Sequence, residues 1–466
     1  MALGMLISGI IGIYHGDSSD VQRGMFYSAG AVFTTGLILA ILTRGPVNLT
    51  RRDGFGIVTF GWLLMAVAGA MPYVWTGSIA DPVSAFFESM SGVTATGATA
   101  ISVIEGLPNG ILFWRSLTQW IGGLGILVLC VAILPFLGVG GMQLYRAEIT
   151  GPSKDRLTPR ITETAKLLWG VYLFLTVLCA LCLRMAGMNW FDAVCHGLTV
   201  VATGGFSTRT DSIAAFNSFP IEAVMIGFML LGSLGFALHY RALTGRPLTY
   251  FRDSECRFFL GFWITGCVIL FFTLLNGGYE SPTDALRDGF FHCTTILTTS
   301  GFVTGNYDAW PASSRFLLLI MMIMGGCAGS TSGGLKAIRM YILGKKAIRE
   351  LRLYMRPNAI VQVKVGRRTI EQVVISNITS FFVIFVFLWA IGTLLMTPFT
   401  PDLKTAGSSV IAMLSNIGPG FGAVGAIENY ADIPSAGKLL LSLYMLLGRL
   451  ELYTVLVMLL PSFWKR

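Results

Sequence analysis

Charged residues are scarce in this sequence: only 12% of its 466 residues are Asp, Glu, Lys or Arg. Soluble domains usually carry about 25% charged residues. The hydrophobic share of 54% and the mean hydropathy of +0.70 also indicate a chain more apolar than a soluble domain. The composition excludes a soluble multidomain enzyme and favours a single polytopic membrane domain. The net charge of +9 is typical of basic cytoplasmic loops, so we expect no nucleic-acid partner.

Cysteine patterns that would indicate a metal or disulfide framework are also missing. The eight cysteines are scattered, mostly within apolar runs such as those around Cys130 and Cys267. The one C-x-x-C pair, Cys179 and Cys182, has no second pair to match it. We therefore expect no disulfide framework, no zinc site and no cofactor in this chain. No apolar segment carries a His/Asp/Glu cluster or a nucleophile with a base, so a membrane-embedded enzyme is only a remote alternative.

Nine apolar segments are long enough to cross a bilayer, which takes about 20 residues. A tenth segment, residues 2–14, is short and lacks the basic start and the cleavage site of a signal peptide. It is either a shortened first span or the end of a span that begins upstream. The nine long segments lie near 24–43, 55–78, 110–138, 165–187, 215–238, 258–276, 314–348, 370–397 and 435–460.

Lysine and arginine concentrate in a few loops, which hold 24 of the 33 basic residues. These loops share one side of the membrane if each pair of long spans is joined on the other side by a non-spanning stretch. The positive-inside rule makes the basic side the cytoplasm. The basic places are 44–52, 146–166, 241–257, 336–368 and Lys465 with Arg466.

Four short polar stretches between paired spans share one pattern, a Thr, Ser or Asn cluster next to a glycine. The glycines are 108, 96 and 117 residues apart, which indicates a long, divergent repeat. Backbone at membrane depth is tolerated when it lines water, and a ring of carbonyls there can replace a cation's hydration shell. Ordinary extracellular turns are the alternative. The predicted filter residues are Ala95, Thr96, Gly97, Thr203, Gly204, Gly205, Thr299, Ser300, Gly301, Asn416, Ile417 and Gly418.

A good helix N-cap stands thirteen positions before each of these glycines. The residues that follow each cap are apolar or small and suit a helix of about three turns. Each stretch thus predicts a re-entrant half-helix whose C-terminal end, with its partial negative charge, points toward a pore. The predicted caps are Ser84, Asp192, Asp288 and Thr405.

Two histidines, His196 and His292, stand nine residues before their glycines, where the other repeats have Glu88 and Ser409. A metal or proton role for this pair is possible in principle. We expect instead that both histidines are packed and hydrogen-bonded behind the filter.

Glycine interrupts the second span of the third repeat. Five of the ten residues 325–334 are Gly, and each costs a helix about 1 kcal/mol. We interpret the segment as a flexible intramembrane loop below the filter that blocks or clears the pore; a static break is the alternative. A phosphate-binding loop is a poor fit, because Lys336 does not directly follow a glycine. The predicted gate residues are Gly325, Gly326, Gly329, Ser330, Thr331, Gly333, Gly334 and Arg449.

Arg449 lies within the last apolar segment, which makes it a functional candidate. Glu451 is only two positions away and cannot face it on a helix. We therefore expect Arg449 to face the pore or the 325–334 loop. A snorkelling arginine is the alternative, although Trp464 lies fifteen positions further on, about 22 Å along a helix.

Together these motifs resemble the Trk/Ktr/HKT superfamily of potassium transporters, and within it the bacterial TrkH-type pore subunits. The resemblance covers nearly the whole chain. It includes the glycine loops and residues 113–123, 146–149, 325–334 and 448–451. It implies four pore units around one pore, an extra N-terminal helix pair, usually a homodimer, and a cytoplasmic nucleotide-binding regulator of RCK type. The chain departs from the family mainly at its N-terminus, where the first helix is short. The family's functional positions fall on Gly97, Gly205, Gly301, Gly418, the 325–334 loop and Arg449.

The resulting expectation is an all-α polytopic membrane protein that takes up potassium, its substrate, across the bacterial inner membrane. A sodium-coupled or sodium-selective member of the superfamily is the alternative. Ser at the first filter glycine would favour it, and this chain has Gly97. Channel-like transport and proton-coupled symport both fit the sequence. The predicted units are an N-terminal helix pair, 1–52, and pore repeats at 53–145, 146–250, 251–350 and 351–466.

The basic segment 336–368 follows directly from the glycine-rich break. It carries ten Lys and Arg, opposed only by Glu350. We predict that it docks an acidic patch of the regulator; binding to anionic membrane lipids is the alternative.

Overall fold

The structure, a computed structural model, describes residues 1–45, 50–129, 157–279, 281–366 and 368–465. Several sequence features fall outside these ranges. They are Cys130, the 146–149 motif, the predicted boundary at 145/146, Arg367 and Arg466.

The described chain is mostly helical and has almost no strands, as predicted. Its two short strands, Lys364–Val365 and Arg368–Thr369, form an antiparallel pair in the basic segment. The α-helices are Ala2–Tyr14, Ser19–Leu42, Arg51–Trp75, Pro82–Val93, Asn109–Val128, Leu157–Met185, Trp190–Val201, Phe219–Ser233, Phe236–Leu243, Thr249–Arg252, Ser254–Asn276, Pro282–Leu297, Ala312–Ile323, Ala337–Met355, Gln372–Met396, Leu403–Leu414, Ser435–Arg449, Tyr453–Leu456 and Pro461–Trp464. Short 3-10 turns occupy Ala214–Phe216, Tyr307–Ala309, Thr397–Phe399, Gly422–Val424 and Val457–Leu459.

Several helices are long and apolar enough to cross a membrane. Within the described ranges six single helices pass this test, and two bent pairs pass it as well. The chain is therefore a multi-pass membrane protein, as predicted. The bent pairs are Phe219–Ser233 with Phe236–Leu243, and Ser435–Arg449 with Tyr453–Leu459.

The predicted span 215–238 is wrong as a continuous helix, because the chain bends there by 103°. Leu234 takes an extended conformation (φ −84°, ψ 155°). The bend frees the carbonyls of Gly232 and Ser233, which accept hydrogen bonds from the 325–334 loop. Glycines on both sides, Gly232 and Gly235, are the sequence signal for this bend.

The predicted span 435–460 is also bent, by 111°. Glu451 and Leu452 take positive φ values of 59° and 46° at the bend. Neither is a glycine, so no simple sequence signal marks the position. A straight helix therefore does not connect Arg449 to Trp464, and the predicted helical separation of these two residues is wrong.

The order long helix, short helix, glycine loop, second helix occurs four times along the chain. We call these parts the outer helix, the pore helix, the filter loop and the inner helix, after the roles that the sequence predicts for them. The outer helices are Arg51–Trp75, Leu157–Met185, Ser254–Asn276 and Gln372–Met396. The pore helices are Pro82–Val93, Trp190–Val201, Pro282–Leu297 and Leu403–Leu414. The inner helices begin at Asn109, Phe219, Ala312 and Ser435. The C-terminal halves of the pore helices are buried on all sides, which places the filter loops in the core.

The N-terminal helix pair packs against the first repeat. The turn between Ala2–Tyr14 and Ser19–Leu42 carries Asp17, whose carboxylate accepts hydrogen bonds from the backbone N–H groups of Asn109 (3.0 Å) and Gly110 (2.8 Å). Asp17 thereby caps the first inner helix from outside its own segment. The pair is thus fixed to the start of an inner helix.

Candidate ion-conduction site

Each pore helix has a side-chain cap, but the predicted caps are wrong. Asp81, Asn189 and Asp402 cap the first, second and fourth pore helices, and Ser281 caps the third. Hydrogen bonding from Ser84 lowers the pKa of the Asp81 carboxyl below its usual value. Three predicted caps are the third residues of their helices and supply the N–H group that the true cap accepts: Ser84, Asp192 and Thr405. The fourth, Asp288, lies inside its helix.

All four pore helices end in the same hydrogen-bond pattern. The residue before each filter glycine donates its N–H to a carbonyl five positions back, over 2.8–2.9 Å. The preceding residue donates to a carbonyl three positions back, over 2.9–3.1 Å. This pair of bonds is a Schellman motif. The longer bonds of the four motifs are Thr96 to Ser91, Gly204 to Thr199, Ser300 to Thr295 and Ile417 to Ala412.

The backbone of the four filter loops alternates between positive and negative φ. The filter glycines have φ values of 75–101°, and the residues two positions earlier have values of 50–57°. The residue between them is not in the positive-φ region in any of the loops. Such alternation turns successive carbonyls toward one side, unlike a strand, where they alternate. The residues with positive φ are Ala95 and Gly97, Thr203 and Gly205, Thr299 and Gly301, and Asn416 and Gly418.

The filter loops form a closed ring in the order 1-2-3-4. A Cβ atom added to each filter glycine would come too close to a carbonyl oxygen of the next loop. The fourth glycine meets the first loop, so the ring closes. Only glycine tolerates both this approach and the positive φ without strain. The four pairs are Gly97 with Gly204, Gly205 with Ser300, Gly301 with Ile417 and Gly418 with Thr96.

A cavity of about 70 Å³ opens at this ring. Its lining includes Gly97, Gly205, Gly301 and Pro419, one residue from each filter loop or from its immediate neighbour. Arg209 and Glu428 lie at the same mouth. The four stretches that the sequence singled out therefore meet in one place.

A side chain of the first inner helix, Gln119, holds the second filter loop. The Gln119 amide donates to the Gly204 carbonyl at 2.5 Å, and its oxygen accepts from the Phe206 N–H at 3.1 Å. Sequence reasoning missed this role, although Gln119 lies in the 113–123 motif that carries the family resemblance.

Two further residues connect the fourth loop to the first. Asn416 donates to the Thr96 hydroxyl and to the Met445 carbonyl, both at 2.9 Å. The Tyr430 hydroxyl donates to the Gly418 carbonyl at 2.9 Å, while its N–H donates to the Thr99 carbonyl at 2.8 Å. Contacts between residues more than 300 positions apart leave no local sequence signal.

The two histidines lie fully buried behind the ring. The His196 ring contacts the Asp192 carbonyl at 2.8 Å and the Ser207 hydroxyl at 3.0 Å, and His292 contacts the Asp288 carbonyl at 3.0 Å. Both are packed and hydrogen-bonded, as predicted. Each ring bonds a backbone carbonyl of its own pore helix, so we assign these contacts a structural role.

The glycine-rich break is present and lies directly beneath the ring. The third inner helix ends at Ile323 and helix resumes at Ala337. The Gly333 N–H donates to the Thr299 hydroxyl at 2.7 Å, and the Thr331 hydroxyl donates to the Val201 carbonyl at 2.9 Å. A Cβ atom at Gly333 would also collide with the backbone of the fourth loop at Ser415. The segment therefore touches parts of the second, third and fourth repeats at once.

Arg449 reaches this segment from the fourth inner helix. It is 2% exposed and donates to the Thr331 carbonyl at 2.7 Å and to the Gly122 carbonyl at 3.0 Å. It thus faces the 325–334 loop, as predicted, and connects that loop to the first inner helix. Glu451 pairs instead with Arg339.

Glu255, a residue that sequence reasoning missed, connects the glycine-rich break to the helix that follows it. It lies at the start of the third outer helix. One carboxylate oxygen accepts from the Ala328 N–H at 2.7 Å and from the Ile338 N–H at 3.0 Å. A single side chain therefore connects the middle of the loop to the helix that follows it. The basic segment after the break is helical to Met355, rather than a loop throughout.

Comparison with known proteins agrees with this architecture. The family model described as "TrkH: Cation transport protein" matches residues 28–466. A Trk system potassium uptake protein TrkH of Halomonas elongata is 43% identical over 454 residues, covering 96% of this chain and 94% of that protein. The protein of the same name from Escherichia coli K12 is 40% identical over 477 residues, covering 99% and 96%.

A solved structure is similar over the full length. The crystal structure of the potassium transporter TrkH from Vibrio parahaemolyticus superposes with a TM-score of 0.91 at 36% identity, covering 100% of this chain and 96% of that one. The comparisons confirm the resemblance drawn from the sequence motifs. The chain belongs to the TrkH family of cation transport proteins, and is therefore a membrane transporter and not an enzyme.

Proposed function

We propose that this protein takes up potassium across the bacterial inner membrane by passing dehydrated K⁺ through the ring of filter loops. The names of its relatives support potassium as the ion. The closed ring of four loops with matching φ angles is the observation that carries the proposal. Four pore helices end at this ring, and the partial negative charge of their C-termini favours a cation.

The 325–334 loop and Arg449 act as the gate in this proposal. The loop contacts the ring through the hydrogen bond from Gly333 to Thr299, and Arg449 donates to its Thr331 carbonyl. A positive charge at 4 Å raises the energy of a passing K⁺ by about 4 kcal/mol at an effective dielectric of 20. Opening requires the guanidinium and the loop to move apart together.

The assembly is a homodimer whose basic segment faces the cytoplasm and docks an RCK-type nucleotide-binding regulator. The concentration of Lys and Arg in that segment supports the orientation. Movement of Ala337–Met355 pulls directly on the loop, because the helix follows the break without a linker.

The test is cation flux into liposomes that contain the purified protein. We expect rubidium, as a potassium substitute, to enter faster than sodium. Gly97→Ser, which adds a side chain where the first and second loops meet, lowers this preference. A preference for sodium in the wild type would favour the sodium-selective alternative. An unchanged ratio in a folded Gly97→Ser protein would remove Gly97 from the filter.

A further inference from the structure

Among the residues that the structure describes, a buried ion pair lies beside the filter ring in the first repeat alone. Arg115 of the first inner helix and Glu88 of the first pore helix are 1% and 0% exposed, and Arg115 Nε lies 2.9 Å from Glu88 Oε1. Burying two charges is costly unless both are fully hydrogen-bonded. The partners of this pair therefore indicate what it holds in place.

Glu88 holds the chain just beyond the first filter glycine. Its carboxylate accepts from the Thr99 hydroxyl at 3.1 Å and from the Ala100 N–H at 2.9 Å. Both residues follow Gly97 within three positions. The carboxylate therefore fixes the point at which the first loop leaves the ring.

Arg115 holds the corresponding part of the second loop. Its Nη1 donates to the Ser207 carbonyl at 3.0 Å, and its guanidinium carbon lies 4.2 Å from the centre of the Phe206 ring. Gln119, one helical turn further along the same face, holds Gly204 and Phe206. One planar guanidinium thus spans the gap between the first and second loops, in a geometry that lysine cannot reproduce.

The other repeats have no equivalent pair in the described residues. Counted from the start of its inner helix, Arg115 is the seventh residue; the seventh residues of the other inner helices are fully buried and apolar. In the other repeats, the position of Glu88, nine residues before the filter glycine, is occupied by residues that do not pair with an arginine. These residues are Met225, Leu318 and Leu441 on the inner helices, and His196, His292 and Ser409 on the pore helices.

We propose that Arg115 and Glu88 are a positioning pair that sets the spacing between the first and second filter loops and thereby contributes to cation selectivity. Neither residue needs to touch the ion. Because the Gly204 carbonyl of the second loop lies against Gly97 of the first, a shift of either loop changes the size of the carbonyl ring. The inference rests on the proposed function, since it requires the loops to be the filter.

The experiment measures the rubidium-to-sodium flux ratio in liposomes, together with the melting temperature, for four variants. Arg115→Lys keeps the charge but loses the planar fork. Glu88→Gln leaves Arg115 without its counter-charge at the mouth. The double variant Glu88→Gln with Arg115→Gln restores neutrality. Gly97→Ser reports on the filter itself.

A matched control is the pair Arg287 and Glu222. The Glu222 carboxylate is 3% exposed and receives two hydrogen bonds from Arg287, at 2.7 and 2.6 Å. The other hydrogen bond of Arg287 goes to Asn217, just before the second inner helix and well beyond Gly205 in the sequence. Arg287→Lys and Glu222→Gln should lower the melting temperature without changing the flux ratio.

We expect Arg115→Lys and the double variant to lower the flux ratio about tenfold, the effect of losing a buried charge-assisted hydrogen bond. Glu88→Gln should lower both the ratio and the total flux, because it leaves a positive charge at the mouth. Folded variants that keep the wild-type ratio while Gly97→Ser lowers it would overturn the positioning role alone. If Gly97→Ser also leaves the ratio unchanged, the proposed filter itself is wrong.

Discussion

The filter ring is built from four similar loops, whereas the four inner helices directly beneath it differ from one another. In the ring, four loops share one hydrogen-bond pattern, one set of φ angles and one kind of contact with the next loop. Beneath it the inner helices differ. The first is continuous over its described length, the second and fourth bend by 103° and 111°, and the third opens into a loop. In the proposed function, coordination of one ion requires equivalent backbones, whereas a single segment is enough to close the pore.

The largest effect is expected from a substitution in the filter ring, where the four loops are alike. Gly301→Ala adds a Cβ that collides with the Ile417 carbonyl and forces a side chain into positive φ, which costs about 1–2 kcal/mol in backbone strain alone. We expect selective rubidium flux to be lost. Gly305→Ala is the control, because its Cβ meets open space. Wild-type flux and selectivity in Gly301→Ala would show that the ring does not need the close contact between Gly301 and the Ile417 carbonyl.

The second prediction concerns the region beneath the ring, where the inner helices differ. Arg449→Ala removes the charge and both hydrogen bonds, to Thr331 and Gly122, and should raise flux severalfold in the absence of the regulator. Arg449→Lys keeps the charge and should stay close to wild type if Coulomb repulsion dominates. Arg184→Gln is the control, because Arg184 lies in the last turn of the second outer helix and bonds the Met188 carbonyl. A monodisperse Arg449→Ala protein with wild-type or lower flux would contradict the gate.

These two regions also differ in how far the sequence predicted them. The filter loops were predictable because each glycine lies next to a polar cluster at a membrane position, and the break because five glycines fall in ten residues. The caps were misplaced by at least three residues, since a polar third residue resembles a cap. Asp81 and Ser281 had a better signal, namely the proline that follows each of them.

The rest of the site depends on contacts that no local pattern encodes. Glu255 reaches residues 73 and 83 positions away, and Asn416 reaches Thr96 across 320 positions. The bend at Glu451 has ordinary residues in positive φ, so only the tertiary structure reveals it. Polar side chains that bond residues distant in the sequence therefore have to be read from the fold.

A smaller effect is expected from Glu255, which connects the loop to the helix that follows it. Glu255→Ala removes the acceptor for Ala328 and Ile338, so the loop loses two charge-assisted hydrogen bonds of about 1.5–3 kcal/mol each before relaxation. Basal flux should rise, but less than in Arg449→Ala. Asp253→Asn is the matched control, because Asp253 caps the same helix and its side chain bonds Cys256 instead. Equal basal flux in Glu255→Ala and wild type would show that the loop is held without it.

The smallest effect on the transporter itself is expected in the basic segment. Arg352→Glu with Arg356→Glu reverses two exposed charges, which should weaken co-purification of the regulator while leaving basal flux unchanged. Arg349 is less suitable because it already bonds Gln372 at 3.0 Å. Regulator binding that is unaffected at physiological salt would favour lipid as the partner of this segment.

The most direct test of the central claim is to locate the ion. Crystals or grids prepared in rubidium salt allow the bound cation to be found relative to the filter loops, by anomalous scattering in the crystalline case. The account predicts density on the axis of the ring, within contact distance of the carbonyls of Thr96, Gly204, Ser300 and Ile417. Rubidium bound elsewhere, with this axis empty in a protein that transports it, would contradict the account.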